Sequence, residues 1–455
     1  MSLPGENVPH TLILAWLLAA GPQCGPLDLD TALALATENS DEVAIKRSEL
    51  AAAEADLALA RAARWLPGSS ATLLAGPVPE AHGTVLDPRT SSRTLDGIGP
   101  FGRIDISLVQ PLYTWGRFDA ARDAATAGVE ARGRLLQDAT SQIQLRVIQL
   151  YWGTSLANRL LAIAADVEKS LAEVDQKIKA GLAEGSSGVA PSDRYKLDLY
   201  KALLRRRKAD AVKGREVAQA ALAATLAAPP ERVVIPDVAL PTPPTGAPDT
   251  PEAVSTAIRR RPDLLALDDA ILAKTAEARA AHAAQLPQIF VGGTFAYSYA
   301  PNRDIQLNPW AGDWFNTLAF GLAFGLRQDL ALPLLQAQSR KASAEVATLE
   351  RQRAGLVRLV ETQVGTAVSD VRDAAERLEA SRESFRTSRS WFRSAEMDFA
   401  AGVAEAKDVL EAYGAYVESQ VENATATYEL IMARARLDQL TGATPLRRAA
   451  TCELR

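Results

Sequence analysis

Histidine and cysteine are almost missing: three of the first (His10, His82, His282) and two of the second (Cys24, Cys452) are scattered through 455 residues. Such spacing supplies neither a Cys/His zinc site nor a Cys–His catalytic pair. The phosphate-binding GxxxxGK[ST], the HExxH of zinc peptidases, the GxSxG elbow and a strand-to-helix GxGxxG are absent too. No enzyme, metal site or cofactor is therefore expected. No run of about 18 apolar residues occurs, which excludes a transmembrane helix. Any membrane insertion has to use strands. The net charge of −5 and the pI near 5.6 leave no basic groove for nucleic acid.

What is present is Ala-rich, ordinary in balance (47% hydrophobic, 23% charged) and periodic. Residues 11–20 are an apolar run followed by Gly21, Pro22 and Gln23, so 1–24 reads as a secretory signal, although no Lys or Arg precedes the run; the other reading is a buried N-terminal helix. Cys24 follows Pro22 and Gln23 rather than small residues, and a free or disulfide-linked thiol is expected there rather than a lipidated one.

Two long stretches lack proline. In the first, Leu156, Leu160, Ile163, Val167, Leu171, Val174 and Ile178 recur at steps of three and four; in the second, Val364, Val368, Val371, Ala375 and Leu378 do the same. Each would span roughly 90 to 100 Å as one straight helix, a coiled-coil length. Each is expected to turn at glycine, at Ala180–Gly188 and at Ala401–Ala404, and to return through 191–227 and 405–441. Amphipathic helices over 28–66 and 252–286 both close in Leu-Pro, at Leu66-Pro67 and Leu286-Pro287, a shift of 286 − 66 = 220; Gly181 and Gly402 are 402 − 181 = 221 apart. Two landmarks agreeing within one residue argue for an internal duplication. The expected organisation is a first repeat at 28–227, an extended Pro-rich linker at 228–251, a second repeat at 252–443 and a tail at 444–455.

Short strands separate the helices. Leu318, Phe320, Leu322 and Phe324 alternate with Ala319, Gly321 and Ala323; Val291, Phe295 and Tyr297 alternate with Gly292, Thr294 and Ala296; Ile104, Ile106 and Leu108 alternate with Asp105 and Ser107. Large apolar residues against small or polar ones is the pattern of a lipid-facing barrel strand, while a half-buried sheet in a soluble protein would show it as well. Segment 70–76 carries the pattern weakly. Tyr113, Trp115, Tyr297, Tyr299, Trp310 and Trp314 lie near strand ends, where an aromatic girdle would sit. Four strands cannot close a barrel alone, so several copies are required.

The chain resembles the TolC-like outer-membrane factors over about residues 28–443. The resemblance rests on the duplication, the Leu-Pro closures, Gln110-Pro111-Leu112-Tyr113-Thr114-Trp115-Gly116-Arg117, Arg261-Pro262-Asp263-Leu264 and Gly402-Val403-Ala404-Glu405-Ala406-Lys407-Asp408-Val409-Leu410-Glu411-Ala412. It implies a mixed α and β membrane protein: a homotrimer whose twelve strands, four per chain, close one outer-membrane β-barrel continued by a long periplasmic α-helical barrel. It also implies passive conduction of substrate, with a periplasmic adaptor (membrane fusion) protein and an inner-membrane RND or ABC transporter as partners. Asp408 and Glu411 match the family's acidic pore constriction, and Gly181, Leu182, Ala183, Gly402, Val403 and Ala404 match its adaptor-docking tips. Phe399 and Ala404 stand where latched members carry tyrosine and arginine, so that latch is not expected here. Without the resemblance, Asp408 reads as a helix cap and Glu411 as a solvated face, and the alternative to a channel is a periplasmic coiled-coil scaffold.

Overall fold

The computed structural model describes residues 27–84, 87–184, 191–236, 239–306, 308, 310 and 312–443. The segment read as a signal, Cys24, residues 185–190 of the first tip and the tail from 444 lie outside the described residues. The elements are α1 (Leu29–Asn39), α2 (Asp41–Ala62), β1 (Ser70–Thr84), β2 (Asp87–Tyr113), α3 (Arg117–Glu184), α4 (Pro191–Thr225), α5 (Thr250–Arg260), α6 (Pro262–Ala283), β3 (Gln288–Tyr299), β4 (Thr317–Arg327), α7 (Leu332–Ala400) and α8 (Ala406–Leu440). Two helices, two strands, a very long helix and a shorter returning one thus occur twice in the same order.

Each amphipathic segment read as one helix is two. Arg261 takes an extended conformation because it precedes Pro262, which starts α6 at a position where its missing N–H costs nothing. Ser40 makes the equivalent break between α1 and α2, and Asp41 and Glu42 place negative charge at the positive end of α2. The linker is also less extended than its prolines suggest: a 3-10 turn occupies Pro230–Arg232, and Thr250 already belongs to α5.

The 68-residue α3 and the 69-residue α7 are the two long rods. α3 packs along α2 and α4 on one side and α6 and α8 on the other, and α7 lies beyond α6 and α8. The periodic apolar positions form the seams. Ile163, Val167, Leu171 and Ile178 are buried with Leu197 of α4, while Val364, Val368, Val371 and Leu378 are buried with Leu430 and Leu437 of α8. Each such side chain contributes about 1.5 to 3 kcal/mol by leaving water. Near the middle of the rods, α1 covers Ile143, Val147 and Tyr151, and α5 covers Val360 and Val364. Between α4 and α8 an apolar groove of about 930 Å³ runs over α3, lined by Leu160, Val167, Tyr200, Leu204, Tyr413 and Val421 among others. No helix among the described residues is long and apolar enough to cross a membrane.

Candidate functional site

The four strands form one antiparallel sheet in the order β1-β2-β3-β4. Its register lines up the apolar positions of separate strands. Leu73, Ile104, Tyr297 and Leu318 stand side by side; Ala71, Ile106, Phe295 and Phe320 form the next row; Leu108, Gly293 and Leu322 the next; Val291 pairs with Phe324. Cross-strand partners share a face, so every apolar residue singled out in these strands lies on one side of the sheet. Leu318, Phe320, Leu322 and Phe324 are 74, 73, 69 and 81% exposed. The other face carries Arg103, Asp105, Ser107, Thr294 and Ser298, with the Arg103 fork bonding both Asp105 oxygens at 2.6 and 2.7 Å. Apolar outside and polar inside is the pattern of a barrel in lipid. Among the described residues β4 has no strand partner on its outer edge, and β1 has none besides a single bridge at Ala81, beyond the four-stranded zone.

At the helical end of the sheet, the Gln-Pro-Leu-Tyr-x-Trp-Gly segment acquires a physical role. The Gln110 side chain accepts from the Leu66 N–H at 2.9 Å and donates to the Arg64 carbonyl at 3.1 Å, pinning the α2–β1 turn, where Leu66 sits at φ +46°. Gln328 donates to the Gln285 carbonyl at 3.0 Å and does the same for α6–β3. Trp115 and Gly116 pass through the left-handed region to start α3, and the Trp115 indole N–H donates to the Pro287 carbonyl at 2.7 Å. That bond ties one half-chain to the other. Sequence reasoning quoted Gln110 and Trp115 without their tasks and did not single out Gln328; the recurrence of Gln 218 residues on, at 328 − 110, was the available signal.

At the opposite end, two expectations change. β2 runs for 27 residues, far beyond the barrel-crossing length, because it and β1 continue as a two-stranded hairpin past the point where β3 stops. Trp314 is not part of an outward girdle. Its ring stacks on Phe101 at 5.9 Å and under the Arg103 guanidinium at 4.7 Å, and its carbonyl accepts from Arg103 and from the Ser298 hydroxyl. Arg103 and Ser298 belong to the polar face, so the chain around Trp314, just ahead of β4, folds over that face. Tyr297 and Tyr299 do stand exposed on the apolar side.

The two hairpin tips differ. Gly181, Leu182 and Ala183 were expected in a turn, but α3 continues to Glu184 and all three are helical. A mid-helix glycine costs only about 1 kcal/mol, and Leu182 packs onto the cluster of Ile178 and Leu197, which offsets it. Gly402 does form a turn. It sits at φ +74°, its N–H donates to the Phe399 carbonyl at 3.0 Å, and the Val403 N–H donates to the Asp398 carbonyl at 2.9 Å. This is the Schellman closure, available cheaply only to glycine. Val403 projects beyond it, 82% exposed, while Ala404 is half-buried.

Asp408 is half-buried three residues into the return, and its carboxylate accepts from the Glu405 N–H at 3.1 Å, which starts α8. Glu411 lies one turn on, exposed on the same side of α8. Lys407 joins them, its Nζ 2.9 Å from Glu405 Oε2. The tip therefore presents three carboxylates and one ammonium, with Asp408 already committed to a backbone donor. Among the described residues no group of His, Cys, Asp and Glu is arranged to hold a metal ion.

Residues 253–443 match the family described as outer membrane efflux protein. No curated protein matches the chain. Solved structures do: the outer-membrane channel OprN (18% identical, TM-score 0.72, covering 91% of this chain and 90% of that one), VceC of Vibrio cholerae (16%, 0.70, 91% and 96%) and the CmeC outer membrane channel of Campylobacter jejuni (14%, 0.69, 97% and 94%). At these identities the likeness is one of fold, and it extends over nearly the whole of each chain.

Proposed function

We propose that this chain, whose residues 253–443 match the outer membrane efflux protein family and whose fold is that of solved outer-membrane channels, joins with two further copies edge to edge, β4 of one to β1 of the next, into a single outer-membrane barrel. The protein is the outer-membrane channel component of an efflux system. Channels of this family are trimers that work with efflux pumps. The observation that carries the reading is the strand register, which gathers the apolar side chains of all four strands onto one exposed face and leaves two open edges. In water that face is a liability, whereas in lipid Leu318, Phe320, Leu322 and Phe324 together gain roughly 6 to 12 kcal/mol. Open edges in lipid are forbidden by unpaired backbone groups, so closure by further copies goes with insertion. A soluble scaffold would satisfy neither requirement.

Below the barrel, α3, α7 and the returning helices extend the conduit towards a pump. The tips at Leu182–Ala183 and Gly402–Ala404 are offered to a periplasmic adaptor, and three copies of Asp408 and Glu411 supply a negatively charged narrow end that admits cations more readily than anions. The duplication read from Leu-Pro and glycine spacing accounts for the twice-repeated element order, with 228–251 joining the halves. An inner-membrane transporter of the RND or ABC class would power transport. The test is reconstitution in planar bilayers: detergent-solubilised trimers should give discrete single-channel currents, and a monodisperse monomer in the absence of detergent would overturn the reading.

A further inference from the structure

Past the four-stranded zone, the segment that follows β3 does not project outward but lies back along the β1–β2 hairpin. The Ala81 N–H donates to the Asn302 carbonyl at 3.3 Å and the Asp304 N–H to the Ala81 carbonyl at 3.0 Å, so that Ala81 and Arg303 form a parallel bridge. Asn302 Nδ2 donates to the carbonyls of Val78 and Gly97 at 3.0 and 3.2 Å, and Arg303 Nη1 to that of Pro79 at 2.9 Å. Room for this approach comes from missing side chains: a β-carbon at Gly99 would collide with the Asn302 amide, and one at Gly97 with the Glu80 carboxylate. Asn316 braces the segment from within, bonding Ala300 N–H and the Arg303 carbonyl, and Phe315 closes against Phe101, Val78 and Ala300. This is a strap, laid over the polar face and fastened to the hairpin.

One fastening can titrate. His82 places Nε2 against Glu80 Oε1 and Nδ1 3.2 Å from Asp304 Oδ1, while the second Asp304 oxygen accepts from the Gly83 N–H at 2.9 Å. A neutral imidazole has a single N–H and can serve one of these carboxylates; the imidazolium serves both. The other charged side chains described on the two elements leave the pair to His82. Arg303 is turned to the Pro79 carbonyl and the Phe315 ring, Asp313 accepts from the Phe315 and Asn316 N–H groups, and Arg93 stands opposite Ala81, while Ser92 is the residue facing His82. His82 lies on the hairpin beyond the reach of β3, outside the membrane-crossing part of the sheet.

We propose that His82 is a proton-operated clasp that holds the strap, residues 300–306 following β3, across the distal mouth of the channel, fastened when the imidazole is protonated and released when it is not. The clasp rests on the channel reading only for its effect on current. Hydrogen bonds to Glu80 and then Asp304 hold the His82 pKa above its ordinary value. A raised histidine pKa contributes stability that is complete below the unfolded value and is lost as pH rises through the folded one. Acid therefore fastens the strap and alkali frees it.

Two measurements on the purified trimer test this. In planar bilayers from pH 4.5 to 8.5, conductance or open-channel noise should rise severalfold with a midpoint above 6.5; His82→Gln should fix the channel in the released behaviour, and Asp304→Asn should lower the midpoint. His282→Gln should leave the profile as it is. Separately, amide hydrogen exchange at 78–84, corrected for intrinsic pH dependence, should lose protection over the same pH range. Exchange that is independent of pH in the wild type and unchanged in His82→Gln overturns the clasp, whatever the currents do. Exchange that titrates while currents stay flat overturns its control of the mouth, and absence of any current refutes the channel rather than the clasp.

Discussion

The ring of Phe290 lies across Gly325 of the neighbouring strand, its Cζ 2.5 Å from where a β-carbon would stand. The pair sits on the polar face, where a large aromatic is out of place unless a missing side chain opposite gives it a floor. Gly325→Ala should displace the ring and cost about 1 to 3 kcal/mol. Phe290→Ala should be milder alone and should relieve Gly325→Ala in the double variant. Heat dissociation of the oligomer, followed on gels, gives all corners of that cycle; additive losses would mean the two do not press on each other.

Two glycines with left-handed backbones separate strain from collision. At Gly402 a β-carbon meets nothing, so Gly402→Ala should cost only the conformational penalty, about 1 kcal/mol. Gly442 has the same φ, but the Arg260 carbonyl oxygen lies 2.7 Å from the position a methyl would take. Gly442→Ala should therefore lose about 2 to 4 kcal/mol, strain plus displaced backbone. Thermal melting of the two variants side by side should rank them in that order.

Arg261 bonds both oxygens of Asp263 at 3.0 and 2.6 Å and reaches Gln363 of α7 at 2.8 Å. With its side chain 11% exposed, Arg261→Ala should cost about 2 to 3 kcal/mol by stranding the carboxylate. Arg261→Lys should recover little, because an ammonium cannot reproduce the fork. Denaturant midpoints equal for Lys and wild type would show that charge alone suffices.

Asp138 shows the opposite imbalance. Burial, with Asp263 adding to it, pushes its carboxyl above the usual carboxylate range. An acid whose folded pKa is raised costs stability once pH exceeds the unfolded pKa near 4. Asp138→Asn, which can still accept from Gln142, should therefore be more stable than wild type at pH 7, and the gain should vanish below about pH 4. Melting temperatures at the two pH values carry the sign.

At the tip, capping and pore charge can be told apart. Asp408→Ala should lower α8 stability by about 1 kcal/mol through the lost cap, and should also reduce cation selectivity. Glu411→Gln caps nothing and should change only selectivity, read as the reversal potential in a salt gradient. An unchanged reversal potential in both variants would remove these carboxylates from the conducting path.

Where a side chain is buried by its own period, the fold could be read from the letters. Val364, Val368, Val371 and Leu378 gave the α7 seam, and Leu318 to Phe324 gave the outward face of β4. The extended course of β2 over 87–100 escaped notice because, among the described residues, its only sheet neighbour there is β1, and no lipid-facing alternation is imposed on it. Helix continuity through Gly181 was missed because the glycine's small cost is offset by Leu182 packing against residues on another element. Trp314 looked like a girdle residue by position alone; its place on the polar face depends on Arg103, 211 residues away. The strap around His82 involves side chains more than 220 residues apart, and single-sequence periodicity carries no trace of such pairs.

The open edges of β1 and β4 also bear on inheritance. In the proposed ring of three every chain uses both edges, so a chain with one damaged edge still enters assemblies through its sound one and leaves them unsealed. In a cell making equal amounts of intact and edge-damaged chains mixing at random, roughly one ring of three in eight would be wholly intact. A lesion at the β4 edge, such as Leu322→Pro, at a position whose N–H alternates away from the β3-facing N–H of Thr317, should therefore act dominantly, whereas a lesion that prevents the chain from folding at all removes only its own copies.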